Sequence, residues 1–299
     1  MAQTPTLRQL RYFTAVAETL SFSKAASACS VTQSTLSGGL QDLEHLLGEK
    51  LFERTSRDVA LTETGRDLVE PARALVSQAE NFVQMAKRNR PPLSSTLTLG
   101  VIPTIAPYLL PDLLPGLQST FLQLDLHLRE DLTARMLDEL EKGNVDAVLM
   151  AFPYESETLD TMMLWDEPFF LVSAGVQMSH TAKASLQDLD SQDVLLLDDG
   201  HCLRDHAIAA CRLKSSTQRK TFGATSLPTL IQMVQHGYGV TLLPAMAINP
   251  KTMPQGLSIQ RFAAPQPTRT IGLAWRKDSP RAAEFRVLGD FIVKIHKDR

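Results

Sequence analysis

Two cysteines nine positions apart, Cys202 and Cys211, are the residues of this sequence best suited to chemistry. Cys202 follows three leucines, which predict a buried strand, and an Asp-Asp-Gly turn. The residues after the turn predict a helix that opens at His201 and Cys202. A thiol at a helix start feels the positive end of the peptide dipoles and the unpaired backbone N–H groups, so we expect a favoured thiolate. His201 and Arg204 would add to this effect, whereas three acids would oppose it: Asp198, Asp199 and Asp205.

The spacing of the two cysteines limits how they can react. If residues 202–211 form one helix, nine residues at about 100° each place the sulfurs on opposite faces and about 13 Å apart along the axis. A disulfide needs Cα atoms within about 7 Å, so the pair cannot close unless the helix unwinds. Two other interpretations stay open. The cysteines could be small buried hydrophobes, or they could bind a metal together with His201 and His206, although zinc sites usually show tighter paired spacing.

Composition narrows the class of protein. The 299 residues are enough for two or more domains, and a hydrophobic content of 43% is enough for sizeable cores. No segment reaches the roughly 18 unbroken apolar residues of a membrane helix, and the first residues lack the charged and apolar regions of a signal peptide. Three cysteines do not make a disulfide scaffold, so we expect a reducing cytoplasm, where a disulfide is transient or sensory. The net charge of −3 gives no indication of nucleic acid.

The first 61 residues predict a helix-turn-helix followed by a two-stranded wing. Ser21 or Ser23 can cap a second helix, and Thr32 can cap a third that runs to about Leu47 and stops at Gly48. In such a motif the amino-terminal residues of the last helix contact base edges in the major groove. An ordinary helical bundle fits the composition equally well. The residues predicted to contact DNA are Gln33, Ser34, Thr35 and Ser37 in the helix and Lys50, Arg54 and Arg57 in the wing.

Residues 62–90 predict a long linker helix and a hinge. Apolar residues alternate spacings of four and three, which is a heptad seam: Leu68, Ala72, Leu75, Ala79, Phe82 and Ala86. A lone helix cannot bury such a seam, so we expect a partner chain; packing against its own domain is the alternative. Pro71 should kink this helix. Prolines and serines over 89–95 predict a hinge, and residues 91–299 then form a separate domain.

Strands and helices alternate from residue 96 onward. Strands at 97–101, 124–128 and 145–151 with helices at 107–119 and 133–143 predict a mostly parallel sheet covered on both faces. A second set is predicted over 169–262, followed by a strand at 270–276 and a closing helix at 282–297. Thr104 and Thr133 each follow a strand and precede a helix, so we expect both to face the crevice beyond the strand ends. Helix capping is the alternative for each.

Several segments resemble those of the LysR-type transcriptional regulators, and the two-cysteine segment resembles their peroxide-sensing branch. The resemblance covers nearly the whole chain: residues 25–57 (AASACSVTQSTLSGGLQDLEHLLGEKLFERTSR), VIPTIAPYLLP (101–111), DGHCLRD (199–205) with Cys211, TSLPTL (225–230), GVTLLPA (239–245) and RTIGL (269–273). It implies an α/β fold class with an amino-terminal winged helix-turn-helix, a long linker helix and two α/β subdomains of periplasmic-binding-protein type, between which the chain crosses twice. Ser34, where many members have proline, and Gly38–Gly39 depart from the pattern.

The same resemblance implies a regulator that binds promoter DNA and senses hydrogen peroxide. Cys202 would attack the peroxide and form a sulfenic acid, which condenses with Cys211 to a disulfide. A cytosolic thiol reductant would reset the pair. A homodimer or homotetramer would carry the DNA-binding domains, RNA polymerase is a further partner, and no cofactor or membrane is expected.

The residues that surround the reactive cysteine also follow from the resemblance. Thr104 and Thr133 would orient the peroxide. His201 and Arg269 would stabilise negative charge, and Asp205 would help to deliver the proton. Three alternatives differ in class: a regulator of the same architecture with a small organic effector, a thiol peroxidase, and a zinc-binding structural domain.

Overall fold

The chain folds as two compact units, Met1–Arg90 and Pro91–Arg299. The computed structural model describes residues 4–54, 59–86, 91–154, 156–175, 183–189, 192–211, 224–249 and 253–298. Arg57, the expected end of the linker helix at residue 88 and the hinge residues 89–90 therefore lie outside the described residues. No helix of the described part is long and apolar enough to cross a membrane.

The described part of the first unit contains helices and a short antiparallel wing. Its elements in chain order are α1 (Leu7–Thr19), α2 (Phe22–Ala28), α3 (Gln33–Leu47), β1 (Phe52–Arg54), β2 (Val59–Leu61) and α4 (Glu63–Ala86). Ser21 accepts a hydrogen bond from the Lys24 N–H at the start of α2, and Thr32 does the same for Thr35 at the start of α3. Each cap satisfies an N–H group that a helix start leaves unpaired. The predicted helix-turn-helix and wing are confirmed.

A buried carboxylate ties the wing to α3. Glu44 accepts hydrogen bonds from the N–H groups of Leu51 at 2.9 Å and Phe52 at 3.4 Å, and from Nζ of Lys50 at 2.8 Å. Burial by itself raises the pKa of Glu44, but Lys50 and the two N–H groups stabilise the charged form and hold the pKa below its usual value. Glu44 therefore fixes the start of the wing against α3, a role that the sequence pattern did not indicate.

The linker helix α4 is buried near its start and exposed further along. Thr62 caps it by accepting the N–H of Gly65 at 2.9 Å. Val69 and Ala72 are buried, where α4 packs against α1. Leu75 is 47% exposed and Phe82 75% exposed. Part of the predicted heptad seam is thus uncovered in the single chain.

Two adjacent glycines of α3 should respond oppositely to the same substitution. A Cβ added to Gly39 would lie 2.9 Å from a ring carbon of Tyr12, whereas nothing lies within 4 Å of a Cβ on Gly38. We expect Gly38→Ala to raise the free energy of unfolding by about 0.5–1 kcal/mol, because alanine restricts the unfolded chain and suits a helix. Gly39→Ala should lower it, because Tyr12 must move. Amide hydrogen exchange in α3 measures both effects, and equal stabilisation by the two variants would contradict the prediction.

The second unit alternates strands and helices. Its elements are β3 (Thr96–Val101), α5 (Ala106–Thr120), β4 (Asp125–Glu130), α6 (Thr133–Glu141), β5 (Ala147–Phe152), β6 (Leu159–Ala174), β7 (Val194–Leu195), α7 (Cys202–Cys211), α8 (Leu227–Gln235), β8 (Val240–Pro244), β9 (Leu257–Arg261), β10 (Thr268–Arg276) and α9 (Ala282–Lys297). The strand order is β4-β3-β5-β10-β6-β8-β7, with β9 beside β6. β3 is parallel to β4 and β5, as predicted, whereas β10 is antiparallel to β5 and β6.

Two hydrophobic cores divide the second unit into a first lobe and a second lobe. The first-lobe core includes Leu99, Leu149 and Trp275, and the second-lobe core includes Phe169 and Leu242. Strand β6 crosses between them: its first part pairs with β10, and its end pairs with β8 and β9. The second set enters its own core at Phe169, as predicted, although the strand that contains this residue begins at Leu159. Residues 159–168 contain the short apolar run Met162–Trp165, and they are extended because they pair with β10.

Candidate functional site

Thr104 and Thr133 lie at the same edge of the first lobe's sheet, as predicted. Thr104 follows β3 and Thr133 begins α6 just after β4. Because β3 and β4 are parallel, their carboxyl ends meet at this edge. Both threonines are buried. Neither α5 nor α6 has a side-chain cap, so the capping alternative is wrong for both residues.

A buried ion pair lies at this edge. Arg269 of β10 stands opposite Glu167 of β6, and its Nε donates to Glu167 Oε2 at 2.8 Å. Its Nη1 and Nη2 donate to the hydroxyl and carbonyl oxygens of Thr104 at 2.9 and 3.2 Å. The other carboxylate oxygen of Glu167 accepts the N–H of Met246 at 2.7 Å. The guanidinium is therefore a fixed positive charge in the interior. Sequence reasoning missed Glu167, whose only signal is its place in the acidic pair Asp166–Glu167 just before the apolar run Pro-Phe-Phe-Leu-Val.

Helix α7 begins at Cys202 and ends at Cys211, as predicted, and its two faces have different surroundings. Leu203 and Cys211 belong to the second-lobe core, whereas Cys202 packs against the first-lobe core. One turn after Cys202, Nε2 of His206 lies 3.4 Å from the carbonyl oxygen of Pro153, which follows β5 in the first lobe. The helix thus lies between the lobes with one cysteine toward each.

The expectation that Cys202 favours its thiolate was wrong for this conformation. Burial raises its pKa above the ordinary value of 9.0; the Thr133 hydroxyl, Arg269 and the Leu203 N–H lower it, and Asp205 raises it. Because burial outweighs the stabilising groups, the sulfur is a protonated thiol at neutral pH. The Thr133 hydroxyl is close enough to Cys202 to favour the thiolate, and its Oγ1 has no other partner among the described residues.

The basic residues beside Cys202 in the sequence do not supply the positive charge. Arg204 pairs with Asp199 through its Nε at 3.0 Å. His201 is buried, and burial lowers its pKa, so the ring is neutral at pH 7 and offers a hydrogen bond but no net charge. The positive charge that acts on Cys202 comes from Arg269, which is distant in the sequence.

The other cysteines are free thiols in apolar surroundings. Cys211 is 2% exposed, and burial raises its pKa to about 12, so it is inert while the helix is intact. Cys29 packs against the core of the first unit, and burial raises its pKa as well. In the described part, no three His, Cys, Asp or Glu side chains are arranged to hold a metal ion. The metal interpretation of the cysteine segment is wrong, because α7 separates Cys202 from Cys211.

Three buried polar atoms near Arg269 and Cys202 lack hydrogen-bond partners among the described residues: Tyr108 Oη, Thr133 Oγ1 and His206 Nδ1. The charge of Arg269 acts on both Tyr108 and His206. Polar atoms buried without partners cost free energy, and a small polar molecule between the lobes would satisfy them. Neither Tyr108 nor His206 was predicted to act on a peroxide. The spacing of His206, four residues after Cys202, was the available signal.

Two family models match the chain, one within each compact unit. The bacterial regulatory helix-turn-helix of the lysR family matches residues 7–66, and the LysR substrate binding domain matches residues 91–295. The chain belongs to the LysR family of bacterial transcriptional regulators. A relative from Acinetobacter baylyi, the HTH-type transcriptional regulator EstR, is 40% identical over 99% of this chain and 98% of its own length. The Escherichia coli DNA-binding transcriptional dual regulator OxyR is 39% identical over 96% of this chain and 94% of its length.

Solved structures of LysR-family regulators match nearly the whole chain. Full-length OxyR from Pseudomonas aeruginosa, with a cysteine-to-aspartate substitution, matches 97% of this chain and 98% of its own with a TM-score of 0.81 and 34% identity. A peroxide-bound OxyR mutant from Corynebacterium glutamicum matches 100% of this chain and 94% of its own with a TM-score of 0.68 and 36% identity. The second unit therefore corresponds to the LysR substrate binding domain over nearly its whole length.

The predicted DNA-contacting residues lie along the start of α3 and the wing. Gln33, Ser34 and Thr35 are exposed in the first turn of α3, and Ser37 is half-buried. Hydroxyl contacts at 2.9 and 2.8 Å join Ser34 and Thr35 to the capping Thr32. In the wing, Lys50 is 74% exposed although its Nζ pairs with Glu44. Arg54 ends β1, while its side chain and the whole of Arg57 lie outside the description.

Proposed function

We propose that this LysR-type regulator binds promoter DNA and senses hydrogen peroxide through Cys202. The observation that carries the proposal is the placement of the two cysteines on one helix between the lobes. Cys202 lies beside Thr133 and Arg269, and Cys211 lies on the opposite face in the second-lobe core. A thiol next to buried donors can reduce a peroxide, and a resolving thiol that is out of reach makes the disulfide a change of shape.

The reaction requires donors for the peroxide and a place for a proton. The Cys202 sulfur attacks one oxygen of the peroxide, the O–O bond breaks, and the departing hydroxide takes a proton and leaves as water. Thr133 has a buried, unpartnered hydroxyl that suits the peroxide, and Thr104 is held by Arg269 beside it. The neutral ring of His201 can donate an N–H hydrogen bond to the developing negative charge. Asp205 is exposed, so its carboxylate can exchange a proton with solvent and help to deliver it. The sulfenic acid then condenses with Cys211, a second water leaves, and a cytosolic dithiol restores both thiols.

DNA recognition is assigned to the exposed start of α3 and to the wing. Gln33, Ser34, Thr35 and Ser37 would face bases and phosphates in the major groove. Lys50, Arg54 and Arg57 would contact the backbone or the minor groove. Two recognition helices of a homodimer, or four of a homotetramer, would bind half-sites separated by whole turns of DNA. RNA polymerase would be the further partner at the promoter.

The uncovered part of α4 should carry the dimer. We expect Leu75→Asp with Phe82→Asp to give monomers that bind DNA poorly, because both side chains are exposed in the single chain and a charge cannot be buried unpaired between two helices. Sedimentation measures the oligomeric state. Leu122→Asp, at an 85% exposed position of the second unit, is the matched control and should leave it unchanged. A double variant that sediments like the unmodified protein would exclude the seam as the interface.

DNA footprinting of reduced and peroxide-treated protein on the gene's own upstream region tests the function. We expect the protected region to differ between the two forms, since the disulfide alters the regulatory domain. A regulator that responds to a small organic effector is the second candidate, because a relative of 40% identity is named EstR rather than as a peroxide regulator. An identical footprint after complete disulfide formation would favour that candidate and contradict peroxide sensing.

A further inference from the structure

The imidazole of His206 has an arrangement that the roles above do not use. It lies one helical turn after Cys202, on the same face of α7. Its Nε2 lies 3.4 Å from the carbonyl oxygen of Pro153. A carbonyl oxygen only accepts, so Nε2 carries the hydrogen of the neutral ring and Nδ1 is the acceptor. That Nδ1 is buried and has no partner among the described residues.

The surroundings keep the His206 ring neutral and therefore basic. Burial lowers its pKa, the Pro153 carbonyl raises it, the charge of Arg269 lowers it and the charge of Asp205 raises it. In the described part, these are the groups that act on the ring: Arg269 from β10, the carbonyl after β5, and Asp205 from α7 itself. Since the net shift is downward, the ring is uncharged at neutral pH and Nδ1 has a free lone pair.

Cys202 needs such a base. The thiolate is the nucleophile, yet burial keeps this sulfur protonated at neutral pH. The other groups nearby are poor acceptors. Arg269 has only donors, and the Thr104 hydroxyl already accepts from Arg269. A carboxylate such as that of exposed Asp205 is a weaker base than a neutral imidazole. The ring of His201 is hydrogen-bonded to the backbone of Thr225 and does not act on the Cys202 sulfur.

We propose that His206 accepts the proton of Cys202 during the reaction with peroxide, an inference that rests on the proposed function. The thiol proton passes to Nδ1 through the bound peroxide while the sulfur attacks. A sulfur–oxygen bond forms and the O–O bond breaks, so the sulfur is oxidised by two electrons and the peroxide is reduced. The departing hydroxide takes the proton from the imidazolium, leaves as water and returns the ring to its neutral form.

The pH dependence of sulfenic acid formation tests this role. The measurement uses full-length protein with Cys211→Ser, in which the reaction stops at the sulfenic acid, and traps that acid with a cyclic 1,3-diketone for intact mass. With His206 present, the rate should be nearly flat from about pH 7 to 8.5, because the neutral base removes the proton. His206→Gln keeps an amide donor for the Pro153 carbonyl but has no base. Its rate should be about tenfold or more lower near pH 7 and rise about tenfold per pH unit, following the thiolate fraction.

His127→Gln is the matched control, because His127 is an exposed histidine on β4 paired with Asp125; it should keep the flat profile. A flat profile in His206→Gln would overturn the proposal, as would a tenfold rise per pH unit in the protein that retains His206. The second result is measured on protein that retains His206, so it does not depend on whether the His206→Gln variant folds. If the unmodified site formed no sulfenic acid at any pH, the proposed function itself would fail, and the role of His206 with it.

Discussion

Replacing Cys202 with serine is expected to abolish the reaction with peroxide, whereas replacing Cys211 should stop it half-way. Cys202 faces the buried donors between the lobes, so Cys202→Ser leaves no sulfur that peroxide can reach there. Cys211 is sealed in the second-lobe core with a pKa raised to about 12 by burial. Cys211→Ser should therefore still react and accumulate a trappable sulfenic acid without a disulfide. Intact mass after peroxide treatment separates the two outcomes.

The third cysteine supplies the control for this experiment. Cys29 is a half-buried thiol in the first unit, with a pKa that burial also raises. Cys29→Ser should react like the unmodified protein and form the disulfide at the same rate. Equal rates of oxidation in Cys202→Ser and Cys211→Ser would show that the nucleophile is wrongly assigned.

Closing the disulfide must also unfold α7. The helix spans Cys202–Cys211, and its ends are separated by about 13 Å along the axis, whereas a disulfide needs Cα atoms within about 7 Å. Amides between the cysteines should lose their helical hydrogen bonds, and hydrogen exchange there should increase on oxidation. The buried residues Val194 and Leu195 of β7 should stay protected as an internal reference. A disulfide that forms with exchange unchanged over 203–211 would exclude unwinding as the switch.

Glu167→Gln is expected to destabilise the second unit strongly. The side chain of Arg269 is 0% exposed and that of Glu167 2% exposed, so the substitution leaves a buried guanidinium without its counter-charge. Removing one partner of a buried pair costs about 3–5 kcal/mol of the free energy of unfolding. Both tryptophans, Trp165 and Trp275, lie in this unit, so their fluorescence during urea denaturation measures the loss.

The neighbouring residue gives a matched control. Asp166 is exposed on the same strand and accepts a hydrogen bond from Thr270 at 2.6 Å. Asp166→Asn should change the free energy of unfolding by about 1 kcal/mol or less, because an exposed group is rehydrated when its partner is lost. Equal effects of the two substitutions would show that Glu167 does not compensate the charge of Arg269.

Much of the local structure was predictable from the sequence because it depends on residues a few positions apart. Thr32 marks the start of α3 through one capping hydrogen bond, and Gly48 marks its end through a left-handed backbone conformation with φ +72°. The spacing of Cys202 and Cys211 within one helix was predictable in the same way. Strand β6 was not, because the first half of it is extended only where it pairs with β10, more than 100 residues later in the chain.

The residues of the candidate site likewise fall into those that the sequence predicted and those that it did not. Thr104 and Thr133 were predictable, because parallel strands bring their carboxyl ends to one edge whatever the details of packing. The Glu167–Arg269 pair was not, because its members are 102 residues apart and meet only through the register of β6 and β10. Tyr108 Oη and His206 Nδ1 lack hydrogen-bond partners because the packing of the two lobes excludes solvent from them, and this packing could not be predicted from the sequence.

The sequence by itself determined that Cys202 begins a helix, that Cys211 lies on its opposite face, and therefore that a disulfide between them requires the helix to unwind. Only the tertiary structure decided the protonation of the sulfur. The helix start, an effect of adjacent residues, favours the thiolate, but burial between two lobes raises the pKa by more. Burial and buried charge depend on which distant segments meet, and a local pattern contains no information about that.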